Sequence, residues 1–129
     1  MRLYFAIIII ALNSALGFGQ EAEFSIDKRT HKFPRTEQGE ILNHTFTVTN
    51  TGEDSLIISD YKVTCSCTQS NLPEGPIAPG ESFDLYITFD TKDKYYAQER
   101  DIYYVTNTKK SLEKLRIKVF VIEPKKDKL

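Results

Sequence analysis

The two cysteines of this chain, Cys65 and Cys67, are the residues whose type and spacing could support chemistry. On an extended strand their Cα atoms would lie about 6.7 Å apart, whereas a disulfide needs Cβ atoms about 3.8 Å apart. Three states are therefore open: a kink at Ser66 that closes a small, easily reduced disulfide, two free packed thiols, or thiolates that bind a soft metal such as Cu(I). We favour a structural thiol pair or local disulfide at a strand end, because redox sites typically show Cys-x-x-Cys before a helix. We assign no metal and no cofactor, because His31 and His44 are far away in sequence and no motif places further ligands near the thiols.

Catalytic residues are not indicated by any motif in the sequence. His31 and His44 are far apart, and neither is placed by a nucleophile motif, so a catalytic triad is not expected. His44 is expected on the outward face of a strand, beside Thr45. The segment 75–82 has the spacing of a phosphate loop, but Glu81 stands where lysine is required and would repel phosphate. We therefore predict a turn at this segment and a protein that is not an enzyme.

The first residues have the pattern of a secretory signal peptide. A positive charge at Arg2 precedes an unbroken apolar run at residues 3–12, and small residues follow up to Gly19. A membrane span needs about 20 apolar residues, roughly twice the length of this run. We predict a signal peptide at residues 1–19, export to the periplasm, cell envelope or extracellular medium, and no membrane span after cleavage.

Composition limits the classes of function. The chain has 129 residues, of which 40% are hydrophobic and 27% charged, as expected for one folded domain rather than a disordered chain. The net charge is -1, so no strongly basic surface points to nucleic acid. Two cysteines are too few for a small domain held together by several disulfides.

Apolar and polar residues alternate with a period of two through most of the chain. The clearest strand has Phe83, Leu85, Ile87 and Phe89 on one face, with polar residues between them. Prolines, glycines and asparagines separate such runs. About seven short strands predict an all-β, immunoglobulin-like antiparallel β-sandwich at residues 20–123, followed by a polar C-terminal tail at residues 124–129.

The order of residues between Phe46 and Thr91 resembles a known family. The matching stretches are Phe46-x-Val48-x-Asn50-x-Gly52, Val63-Thr64-Cys65-Ser66-Cys67-Thr68, Ile77-x-Pro79-Gly80-Glu81 and Ile87-x-Phe89-Asp90-Thr91. The pattern resembles the secreted bacterial domain-of-unknown-function family 1573, which is similar to the immunoglobulin-like modules of major sperm protein and Hydin. The resemblance implies a sandwich, an exported location and no known enzymatic activity, and it supplies no ligand.

These observations favour a noncatalytic binding or scaffold module of the bacterial cell envelope. Its partner would be another envelope protein, bound by strand addition at a sheet edge near Phe24–Lys28 or Tyr95–Thr106. An aromatic surface would contribute, with one tyrosine of each consecutive pair facing outward, from Tyr86, Tyr95, Tyr96, Tyr103 and Tyr104. The alternative is a thiol-redox or copper-handling protein that uses Cys65 and Cys67.

Overall fold

The computed structural model describes residues 21–124, which contain nine β-strands and no helix. In chain order the strands are β1 (Phe24–Ser25), β2 (Thr30–Lys32), β3 (Thr36–Glu37), β4 (Ile41–Asn50), β5 (Ile58–Lys62), β6 (Thr68–Ser70), β7 (Ser82–Asp90), β8 (Tyr96–Thr106) and β9 (Leu112–Ile122). The predicted signal peptide and the end of the predicted polar tail lie outside the described residues.

The strands form two sheets around one hydrophobic core. The first sheet has the order β1-β4-β7-β6, and the second has the order β2-β9-β8-β5, with β3 also pairing with β9. This confirms the predicted all-β, immunoglobulin-like sandwich. The strands that the sequence did not indicate are β2, β3 and β6, which have only two or three residues and so carry too few alternating residues to be recognised.

One edge departs from the predicted antiparallel arrangement. β2 and β3 run parallel to β9, through pairs that include His31 with Ile117 and Thr36 with Val121. The chain first pairs with β4 in the first sheet, through Phe24 and Ser25, and then crosses to the second sheet. The crossing segment meets β9 pointing in the same direction, so their backbones can pair only in parallel.

The core follows the period of two. Leu85, Ile87 and Phe89 of β7 are at most 1% exposed, and alternate residues of β9 from Leu115 to Val121 are at most 4% exposed. Burial of one such side chain stabilises the fold by about 1.5–3 kcal/mol. The summed burial therefore selects which face of each long strand is turned inward.

Asn50, at the end of β4, joins three segments of the chain. It is fully buried, and its Nδ2 donates to the carbonyl oxygens of Asp54 at 2.7 Å and Ile77 at 2.9 Å. Its Oδ1 accepts from the backbone N–H groups of Gly52 at 2.9 Å and Glu23 at 3.2 Å. Gly52 must be glycine because a Cβ there would collide with the carbonyl oxygen of Glu21.

Candidate functional site

Cys65 and Cys67 lie on a tight turn between β5 and β6. The backbone N–H of Thr68 donates to the carbonyl oxygen of Cys65 at 3.1 Å, and this turn brings the two Cα atoms to 5.1 Å. The sulfur atoms are joined in a disulfide, and both residues are half-buried. Of the three states open from the sequence, the structure contains the local disulfide, with the chain kinked at Ser66.

A shallow depression of about 390 Å³ adjoins the disulfide on the outer face of the first sheet. We call it the disulfide depression; its lining includes Cys65, Cys67, Gln69, Thr88, Lys92 and Lys94. Asp90 also lines it, and its backbone N–H donates to the carbonyl oxygen of Cys67 at 2.9 Å. Two lysines and one aspartate therefore line the same depression as the half-exposed disulfide.

The two histidines form a stack that the sequence did not indicate. The rings of His31 on β2 and His44 on β4 lie 3.5 Å apart and nearly parallel, at 9°. Phe33 and Phe46 each place an edge against one of these rings, with centroids 4.6 Å apart. The outward orientation expected for His44 is wrong: His44 shares the inward face with Phe46, because residues two apart on a strand point the same way.

The surroundings of the histidine stack disfavour the charged form of both rings. Partial burial lowers the pKa of His31, and the pKa of His44 is lowered first by burial and then by the nearby charge of His31. The stack lies at the β2 and β4 edges, whereas the disulfide lies beside β6, beyond β7. Within residues 21–124, no three His, Cys, Asp or Glu side chains are grouped so that they could hold a metal ion.

The segment 75–82 is the predicted turn before β7. Its backbone N–H groups are used within the fold: Ile77 donates to the Leu56 carbonyl at 2.8 Å, and Gly80 donates to the Asn50 carbonyl at 2.7 Å. Gly80 has a φ of 84°, which favours glycine. The loop therefore has structural bonds where a phosphate loop would offer donors to a ligand.

The two predicted binding edges differ in the structure. β1 is an edge strand, and it covers only the last two residues of β4, Thr49 and Asn50. In contrast, β8 is an interior strand, paired with β9 on one side and, from Tyr103 onward, with β5 on the other. The prediction of an edge along the whole of Tyr95–Thr106 is thus wrong for its second half, because β5 covers it.

The tyrosines divide partly as predicted. Tyr104 is fully buried and its hydroxyl lies 2.7 Å from Ser70 Oγ, while its neighbour Tyr103 is 36% exposed. Burial raises the pKa of Tyr104 above its ordinary value. Tyr95 and Tyr96 are both exposed, against expectation, because Tyr95 precedes β8 and Tyr96 has a φ of 65°, so the two are not consecutive residues of a regular strand.

No helix in the part of the chain that the structure describes is long and apolar enough to cross a membrane.

The two sheets define an immunoglobulin-like module. The family model described as Protein of unknown function (DUF1573) matches residues 24–121. The chain therefore belongs to this family, as its resemblance indicated. No curated protein matches the sequence.

Solved structures with similar folds come from several organisms. A protein of unknown function from Porphyromonas gingivalis W83 has a TM-score of 0.70 and 18% identity, covering 83% of this chain and 50% of that one. A PapD-like domain of human CEP192 has a TM-score of 0.57 and 18% identity, covering 81% and 89%. WR4, a C. elegans MSP family member, has a TM-score of 0.50 and 14% identity, covering 76% and 96%.

These similarities show the fold alone, and they confirm that it is similar to the fold of major-sperm-protein modules. The chain spans about half the length of the P. gingivalis protein.

Proposed function

We propose that this protein is an exported, noncatalytic binding module of the bacterial cell envelope, which holds a partner protein by strand addition at the open edge of β4. The observation that carries the proposal is the backbone of Asn43, Thr45 and Thr47. β4 bonds to β7 through its even-numbered residues, as the N–H of Asn50 donating to Glu81 at 2.9 Å shows. The odd-numbered residues therefore turn their N–H and C=O groups to the other side.

The side of β4 that faces away from β7 is open over most of its length. Within residues 21–124, β1 pairs only with Thr49 and Asn50, so no strand covers Asn43, Thr45 and Thr47. A surface groove of about 320 Å³ follows this edge, lined by Ile26, Lys28, Thr45 and Thr47 among others. Unpaired backbone groups beside a groove are what an added strand requires.

A second incompletely covered strand, β8, is a poorer site for strand addition. Residues 96–102 of β8 have no strand on their β5 side within the described range. There Arg100 holds its guanidinium 5.2 Å from the Phe89 ring and donates to the carbonyl oxygen of Glu99 at 2.7 Å. An inward-pointing charge at an edge disfavours strand pairing. Between residues 43 and 47 the outer face of β4 carries only Asn and Thr side chains, and this stretch is therefore the better site.

Export and an envelope partner rest on the sequence. The apolar run at residues 3–12 followed by small residues supports a cleaved signal peptide, and an oxidised Cys65–Cys67 pair suits a compartment where disulfides persist. We expect the protein isolated from the native envelope fraction to begin at Gln20. A protein recovered only from the cytosol, with its first residues intact, would contradict the exported location.

Strand addition is tested by removing one outward N–H group. Thr45→Pro deletes the N–H at the centre of the open edge, whereas the control Thr45→Val keeps it together with a β-branched side chain. We expect wild-type protein and Thr45→Val to capture the same envelope protein, and Thr45→Pro to lose at least about tenfold in affinity, about 1.4 kcal/mol. Equal capture by folded Thr45→Pro, with folding checked by circular dichroism, would exclude this edge.

A further inference from the structure

The disulfide between Cys65 and Cys67 is a poor structural staple. It spans one intervening residue, so it restricts the unfolded chain very little. The turn is also held without it, because the N–H of Thr68 donates to the Cys65 carbonyl at 3.1 Å and the N–H of Asp90 donates to the Cys67 carbonyl at 2.9 Å. Breaking the S–S bond would therefore leave the local backbone in place.

The surroundings of Cys65 would stabilise a negative sulfur. The backbone N–H of Cys67 donates to Sγ of Cys65 at 3.2 Å, and a donor in this position favours the thiolate after reduction. Lys92 and Lys94 line the same depression and contribute positive charge, partly offset by the carboxylate of Asp90. A sulfur stabilised as a thiolate is the better leaving group in disulfide exchange.

We propose that Cys65–Cys67 is an exchange-active disulfide that oxidises cysteine pairs of extended polypeptides reaching the disulfide depression. A substrate thiolate attacks Sγ of Cys67, the Sγ–Sγ bond breaks, and Cys65 leaves as the thiolate. The second thiol of the substrate, after losing its proton, attacks the substrate sulfur of the mixed disulfide and releases Cys67. Two electrons and two protons pass from the substrate dithiol to Cys65 and Cys67, so that one disulfide replaces another.

This site is separate from the β4 edge. The disulfide adjoins β6 and β7, while the open edge lies on the opposite side of β4, so either activity can fail without the other. The Thr45→Pro variant is therefore expected to exchange disulfides at the wild-type rate.

The first test uses the wild-type protein and a reduced peptide with two cysteines. Free thiols in each aliquot are alkylated, and the masses of the intact protein and peptide are measured by mass spectrometry. Oxidised glutathione is the reference oxidant. We expect the peptide to be oxidised one-to-one with loss of the Cys65–Cys67 disulfide, at least about tenfold faster than by glutathione at equal concentration. A rate equal to or below that of glutathione would overturn the proposal, because it would mean that the disulfide is accessible but not activated for exchange.

The second test identifies the leaving sulfur in single-cysteine variants. The thiol of Cys65 in Cys67→Ser is expected to be alkylated at lower pH than the thiol of Cys67 in Cys65→Ser. Replacing Lys92 and Lys94 by Gln is expected to move the Cys65 profile to higher pH. Replacing Lys109 and Lys110 by Gln, at the other end of β8, is the matched control and should not move it. The reverse order of the two thiols would overturn the assignment of Cys65 as the leaving group.

Discussion

Asn50 and Gly52 form the junction at the end of β4, where the chain segments near Glu21 and Ile77 meet this strand. The side chain of Asn50 makes four hydrogen bonds to backbone groups, and Gly52 lets the chain pass close to Glu21. The Asn-x-Gly spacing predicts a turn from the sequence. The four bonding partners could not be predicted, because they come from segments up to 27 residues away.

Removing the amide should destabilise the protein strongly. Asn50→Ala leaves buried N–H and C=O groups without partners, and we expect a loss of about 3 kcal/mol in the free energy of unfolding. Asn43→Ala, an exposed position on the same strand, is the control and should change stability by less than about 0.5 kcal/mol. Urea denaturation of both variants measures the difference. A similar stability for the two variants would show that the junction tolerates the loss of its amide.

Adding a methyl group at Gly52 should also be costly. In Gly52→Ala the new Cβ would meet the backbone of Glu21, so the chain must shift, and we expect destabilisation of about 1–3 kcal/mol. A Cβ at Gly75 would have no atom within 4 Å, so Gly75→Ala is the matched control and should be neutral or slightly stabilising. Thermal and urea unfolding compare the two. If Gly52→Ala were as stable as Gly75→Ala, this result would contradict the close approach of the backbone of Glu21 to Gly52.

Among the elements, the long strands follow from the sequence and the short ones do not. β4, β7 and β9 bury every second residue over much of their length, which is the pattern that predicted them. β2 and β3 contain no large aliphatic residue in Thr30–Lys32 and Thr36–Glu37, so no apolar period marks them. They form because the free edge of β9 offers them backbone partners.

The contact between β2 and β4 should make stability depend on pH. Both stacked histidines have a pKa lowered in the folded state, so the folded protein binds fewer protons than the unfolded chain just below the ordinary value of 6.5. The stability that the two histidines contribute is fully present above pH 6.5, and it is lost as the pH falls below this value. The carboxyl of Asp101 behaves differently: its hydrogen bond to Arg116 lowers its pKa, so its contribution declines only below about the ordinary value of 3.8.

We therefore expect the free energy of unfolding to fall between neutral pH and the onset of carboxylate protonation. Replacing both His31 and His44 by Phe keeps aromatic rings in the stack and should remove most of this decline, as measured by urea unfolding across the pH series. An unchanged decline in the double variant would show that other groups cause it.

At the scale of the whole molecule, the sandwich does not depend on its disulfide. The core includes side chains from both sheets and excludes solvent from residues such as Leu85 and Leu115, whereas the disulfide closes a loop across one residue. From the loss of loop entropy in the unfolded chain, such a short crosslink stabilises the fold by at most about 2 kcal/mol, whereas a crosslink that closes a loop of roughly 100 residues contributes about 4.7 kcal/mol. Replacing Cys65 and Cys67 together by Ser should therefore leave a folded protein.

Circular dichroism and urea unfolding of this double variant are expected to show an intact β-sandwich that is destabilised by no more than about 2 kcal/mol. A chain that fails to fold would mean that the disulfide is a major structural element of this protein.

The sequence by itself determined the class of fold, the faces of the long strands, the turns at Asn50–Gly52 and Pro79–Gly80, and the membership of the family. These depend on neighbouring residues, whose alternation and backbone preferences act locally. Only the tertiary structure decided which strand keeps an open edge, that the second half of β8 pairs with β5, and that His31 and His44 meet. The physical reason is that strand pairing joins distant segments, and the competition among all edges and faces for burial selects each partner.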